Sequence, residues 1–347
     1  MSAGYESLLR LTWADSWGTS GTLGRRGMFL FADNVKLSMG AVAKERDSKL
    51  TGNRESLPDT FSIDGFNEVG EFTFQPRGND ILMVLAAHFQ TLVSSSGTYS
   101  FYRINKTPSF TIGGGSNIGT SVWSFNIDQP FGNSIIQGGT GANGYRFTNC
   151  IVEKLAFNQK FGEDLLVTVN FKAREGSRYN FPSNFGAYPN VYGSVSEFGR
   201  AVDWNGTVTI AGDDFDIDGV QLNFTNNTVD KSRIGKRGFT RFPFAGHWIA
   251  DGMIDSELQR DLEQYGEGTF KNITTTWLTP TANGTTYINI AQPNSVIKPY
   301  DIDVKDGQSL VEQSMPYRAY PPVGTTGPST IVTVVTGSLY GTLLYGF

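Results

Sequence analysis

The chain carries one pattern twice, about 180 residues apart, and this repeat limits its folds more than any other feature. The first copy reads Val35-Lys-Leu37-Ser-Met39, Ser48-Lys49-Leu50-Thr-Gly52-Asn-Arg54, Gly70-Glu-Phe72, then Leu82 and Phe89. The second reads Val220-Gln-Leu222-Asn-Phe224, Ser232-Arg233-Ile234-Gly235-Lys-Arg237, Gly246-His-Trp248, then Leu258 and Tyr265. The offset shrinks in order from 185 residues at Val35/Val220, through 183 at Gly52/Gly235, to 176 at Gly70/Gly246. Two copies of one module give such a progression when the second has shorter loops. Tandem modules point to an assembly unit with built-in pseudo-symmetry rather than to a single catalytic cleft.

Composition agrees with a β-rich chain. Forty-one glycines, 13% aromatic and only 18% charged residues suit many short strands and turns, with surface hidden against partners. The length of 347 residues fits two domains, each able to bury a core. Alternating runs predict strands at 28–39, 61–63, 71–74, 99–103, 122–127, 207–210, 219–224, near Trp248, and at 287–290, 302–304 and 331–335. Tyr145–Phe157 and Leu166–Lys172, joined by a turn at Lys160-Phe-Gly162-Glu, predict an antiparallel hairpin. Two helices are expected: one from Asp80, capped by Asn79 or Asp80, to about residue 91, and one over Ser256–Tyr265. The stretches 40–58 and 226–241 read as long polar loops. The division that follows is an N-terminal arm 1–25, a first domain 26–175, a linker 176–200, and a second domain 201–347 ending in an uncharged aromatic tail.

Little in the sequence supports catalysis. There is one cysteine, Cys150, and two histidines, His88 and His247, so an internal disulfide framework and multi-cysteine zinc sites are excluded. No nucleophile elbow, phosphate loop or zinc-protease motif occurs, and neither an enzyme nor a cofactor is expected. Cys150 reads as a small buried hydrophobe. The run Asp213-Asp214-Phe-Asp216-Ile-Asp218 reads as a solvated or pore-facing row of carboxylates; it lacks the glycine and terminal glutamate of a calcium loop. No signal peptide and no membrane span are expected. A net charge of −5 argues against gripping nucleic acid and suits letting it slide past. The paired loops, with Lys49, Gly52 and Arg54 in one and Arg233, Gly235 and Arg237 in the other, are the candidate contacts to a neighbouring subunit.

Together these segments resemble the tail tube (major tail) proteins of long, non-contractile-tailed bacteriophages, in the form with two fused tube domains. The residues that carry the resemblance are the strand Val35–Met39, the charged loop to Pro58, and Ile63-Asp-Gly-Phe-Asn-Glu-Val-Gly-Glu-Phe-Thr-Phe-Gln-Pro. The helix Asp80–Phe89, the hairpin 145–172 and their recurrence over 207–265 extend it to most of the chain. The resemblance implies a mainly β fold of two tandem tube-like β-sandwich/barrel domains, each flanked by one α-helix, whose sheets join around a lumen. It implies trimeric rings with pseudo-sixfold symmetry, stacked by the long loops into a virion tail. Tape measure, tail terminator and tail tip proteins would be its partners, and DNA would pass without specific binding. A competing expectation is a β-sandwich carbohydrate-binding or capsid-decoration module.

Overall fold

The structure, a computed structural model, describes residues 7–13, 27–45, 61–76, 81–95, 98–103, 109–112, 116–117, 124–130, 143–181, 205–228, 248–257, 268–281, 284–298, 302–304, 311–322 and 327–335. It is mainly β, with antiparallel sheet and, among the described residues, one helix. The first half contains β1 (Ser7–Trp13), β2 (Gly27–Ala32), β3 (Asn34–Glu45), β4 (Phe61–Phe74) and helix α1 (Leu82–Phe89). Then come β5 (Thr91–Ser95), β6 (Thr98–Tyr102), β7 (Ser109–Ile112), β8 (Ser116–Asn117), β9 (Phe125–Pro130), β10 (Asn143–Lys160), β11 (Leu166–Lys172) and β12 (Glu175–Asn180). The second half contains β13 (Asn205–Ile210), β14 (Asp213–Phe215), β15 (Gly219–Thr225), β16 (Ile249–Glu257) and β17 (Phe270–Thr281). It closes with β18 (Gly284–Ile297), β19 (Ile302–Val304), β20 (Val311–Ala319) and β21 (Ile331–Val335).

Strand pairing repeats in chain order. In the first half β1 pairs β2 and β9, β10 pairs β9, β11 and β12, and β4 pairs β3 and β11. In the second half β13 pairs β14 and β17, β18 pairs β17 and β21, β16 pairs β15 and β20, and β18 with β19 pairs β20. The same scheme is therefore drawn twice. Register agrees residue by residue: Leu37 lies opposite Gly70 and Gly70 opposite Phe171, as Leu222 lies opposite Gly252 and Gly252 opposite Tyr317.

Irregularities recur as well. A bulge between Phe147 and Cys150 on β10 has its counterpart between Gln292 and Ser295 on β18. The one-residue shift between Val152 and Lys154 returns between the Ile297↔Tyr317 and Ile302↔Gln313 pairs. Asp33 N–H donates to Thr73 O at 2.9 Å, and Asp218 N–H to Asp255 O at 2.8 Å, at matching positions. Bulges bend strands and set twist, so a shared set of them gives both halves the same curvature.

The alternation of β strands decides which side is buried. Strands β3–β4–β11–β10–β15–β16–β20 follow one another in a seven-strand sheet, which β19 extends beyond β20; one face of it supplies Phe72, Phe74, Leu155, Phe157, Val167, Val169, Leu222, Phe224, Ile254 and Met315 to the core. The N-terminal part of β10 leaves this sheet to pair with β9 and β12, and that of β18 leaves to pair with β17 and β21. The change of direction in β10 occurs at Asn149, whose φ of 53° is left-handed. The two layers meet where Trp277 of β17 stacks on Phe157 of β10 at 5.6 Å.

Several expectations are corrected. Gly40–Glu45 belongs to β3 rather than to a loop, because residues 61–68 of β4 complete its hydrogen bonds in a long hairpin. The supposed linker begins as strand β12, which pairs with β10. Gly70 corresponds to Gly252, not to Gly246, since register places both under a cross-strand aromatic ring. Helix α1 is buried on every side rather than on one stripe, being enclosed by β5, β6, β10 and the second half. Of the second expected helix, Ser256 and Glu257 lie in β16, and residues 258–265 lie outside the described residues, as do Asn79 and Asp80. Strands β17 and β20 were not anticipated.

Candidate assembly surfaces

Two ladders cross from one half to the other. Strand β10 pairs β15 over seven positions, from Lys154↔Thr225 to Lys160↔Gly219, and β6 pairs β21 over five. Helix α1 lies against this joint. Its Phe89 meets Phe224 at 5.5 Å and Trp248 at 5.9 Å, and Phe224 and Trp248 stack within 7° of parallel. Such aromatic pairs contribute about 0.5–1.5 kcal/mol each beyond area burial.

A polar knot sits inside the joint. Buried Asn226 donates from Nδ2 to Val152 O at 2.7 Å, and its Oδ1 accepts from Arg103 Nη1. Trp248 Nε1 lies 3.4 Å from His88 Nε2, and Asn226 Nδ2 lies 3.2 Å from His88 Nδ1. Full burial, helped by nearby Arg103, pushes the His88 pKa down to about 3, and burial lowers Arg103 to about 10. His88 is thus a neutral structural group. Asn226 and Trp248 reach it from the second half, and Phe89 and Val152 from the first, so it helps register the halves on one another. Cys150 is likewise fully buried, and burial raises its thiol pKa.

The second surface is the outward face of the seven-strand sheet. Glu71 accepts from Asn170 at 2.6 Å and from Lys36 at 3.3 Å, and these contacts hold its carboxyl below its ordinary range. Asp251 accepts from Arg318 Nε and Nη2 at 2.7 and 3.0 Å and from Lys298 at 3.2 Å. Burial alone would raise the Asp251 pKa, but those donors carry it downward. Thr73 and Thr168 bond at 3.0 Å, and Lys172 reaches Glu153 at 3.5 Å. On this face Lys36, Lys172, Lys298 and Arg318 each lie within 4 Å of a carboxylate.

One end of the sheet gathers exposed carboxylates. There the turn after β10 leaves Phe161 87% exposed, with Glu163 and Asp164 beside it and Phe161 N–H donating to Asp218 O at 2.7 Å. Asp213, Asp214, Asp216 and Asp218 are all exposed. They do not form one alternating strand: the first two lie in β14, after a two-residue turn at Ala211 (φ 56°) and Gly212 (φ 99°), and the others in the link to β15. At the opposite end β3 and β15 lead into residues 46–60 and 229–247. Lys49, Gly52, Arg54, Arg233, Gly235 and Arg237 fall in these stretches of sequence, outside the described residues. The second of these stretches has five Lys or Arg against one Asp.

Sequence reasoning missed the joint. Its signal was faint, since His88, Arg103, Asn226 and Trp248 are scattered along the chain. Among the described residues no group of three or more His, Cys, Asp or Glu could hold a metal ion. No family model matches the chain, and no curated protein matches it.

Proposed function

We propose that this chain is a structural virion protein: two fused tube modules that self-assemble into stacked rings, forming the tail tube of a long, non-contractile-tailed phage and the conduit for its DNA. The reading is carried by one observation, the repeated pairing scheme whose two copies are joined edge to edge through β10 and β15. A unit that already continues its sheet across one copy-to-copy joint needs only the same joint between chains to close a ring, and closure removes exposed sheet edges. Three chains then supply six similar sectors. The polar face of the seven-strand sheet forms the lumen wall, where cations held by carboxylates give passing phosphates few sticking points. The connections 46–60 and 229–247 leave the same end of that sheet and stack one ring on the next.

Negative-stain microscopy of concentrated purified protein tests this. Rings or filaments with a central hole are expected. Uniform small particles at every concentration would return the chain to the class of β-sandwich binding or decoration modules.

A further inference from the structure

Among the described residues the repeat leaves two strand edges open whose counterparts are paired. Strand β15 corresponds to β3, and the second part of β10 to β19, by the matching registers against β16 and β4 and against β20 and β11. Inside the chain β10 and β15 form the joint, whereas among the described residues β3 pairs only with β4 and β19 only with β20. Burial records the same vacancy. Leu222 and Val220, sealed by β10, are 0% and 2% exposed, but the matching Leu37 and Val35 are only partly buried.

We propose that β19 of one chain adds antiparallel to β3 of a second copy, reproducing the β10–β15 joint between molecules. This rests on the self-assembly reading and deepens it by fixing partner, edges and register. Phe157 lies opposite Leu222 and Asn158 opposite Gln221 in the internal joint. Carrying those pairs through the repeat sets Ile302 opposite Leu37, Asp303 opposite Lys36 and Val304 opposite Val35. Unlike charges at a directly opposed pair favour this register, and a slip by one residue would turn every side chain to the wrong face. The contact is head-to-tail, using different edges on the two molecules, so it closes into a ring or propagates and does not stop at a symmetric dimer.

Engineered disulfides read the register. Directly opposed antiparallel residues have Cα atoms about 4.5–5.5 Å apart, within disulfide reach. Full-length protein carrying Lys36→Cys and Asp303→Cys, oxidised mildly, is expected to give covalent dimers and trimers on a non-reducing gel at least about tenfold faster than Ser38→Cys with Asp303→Cys. Each single-cysteine variant should stay near wild type, whose Cys150 is buried. If microscopy shows rings but the first pair fails to link, or the shifted pair links faster, this register is wrong while the tube reading stands. If neither rings nor links form at any concentration, both fall together.

Discussion

The two halves draw one strand scheme but line a single continuous core with different side chains. In the first half Phe147 meets Phe171 edge-on at 5.7 Å, and Phe72, Phe74 and Val167 complete an apolar interior. At the matching positions the second half has Gln292, Tyr317, Ile254, Ser256 and Gln313, and Tyr317 Oη donates to Gln292 Oε1 at 2.7 Å. A hydrogen bond has taken the place of an aromatic contact. Gln313 and Ser256 are almost fully buried, yet among the described residues Gln313 Nε2 and Oε1 and Ser256 Oγ have no hydrogen-bond partner. The comparison teaches that alternation, bulges and a glycine under an aromatic ring set this topology. The chemistry that fills it differs: aromatic and aliphatic in the first half, partly polar in the second.

The sharpest way to break the comparison is at the shared glycines. A Cβ at Gly252 would sit 2.1 Å from Tyr317 Cζ, and one at Gly70 2.5 Å from Phe171 Cζ. Gly252→Ala and Gly70→Ala should each cost about 3 kcal/mol in denaturant unfolding, with Gly252→Ala the worse because its ring is also tied to Gln292. A change below about 0.5 kcal/mol at either site would mean that the aromatic cover is not what holds these strands together.

Next in size is an exchange of the two pairs. Tyr317→Phe leaves the Gln292 amide buried without its donor and should cost about 1–3 kcal/mol. Adding Gln292→Phe installs the first half's pair and should recover most of that loss. A double-mutant cycle measures the coupling, and purely additive costs would show that the pairs are not equivalent. The smallest effect is a gain: Gln313→Val copies Val167 and removes two unpartnered polar atoms, so thermal unfolding should report about 1 kcal/mol of added stability. Loss of stability there would place an unseen partner on that amide.

Much of the scheme was legible in the sequence. Val35-Lys-Leu37 and Val220-Gln-Leu222 do occupy matching strands, and the hairpin 145–172 lies where its alternation and Gly162 turn place it. The glycine match went astray because Gly252-Met-Ile-Asp-Ser256 has lost the aromatic residues of Gly70-Glu-Phe-Thr-Phe74, while Gly246-His-Trp248 imitates them. Once a core turns polar, its strands stop looking like their partners. A clearer signal went unused: Lys160-Phe-Gly162-Glu-Asp-Leu165 and Lys305-Asp-Gly307-Gln-Ser-Leu310 share lysine, glycine and leucine at equal spacing. The joint itself was illegible, since burial of His88 and Asn226 arises only when the halves meet.

The central claim is that one chain-internal joint is repeated between chains until a ring closes. Cryo-microscopy of assembled rings tests it directly. The account predicts threefold rings of three chains whose six sandwich sectors alternate between the apolar and the partly polar lining, with continuous sheet running through β10–β15 and β19–β3 alike. Rings of six complete chains, or threefold rings whose β3 edge faces solvent, would contradict it.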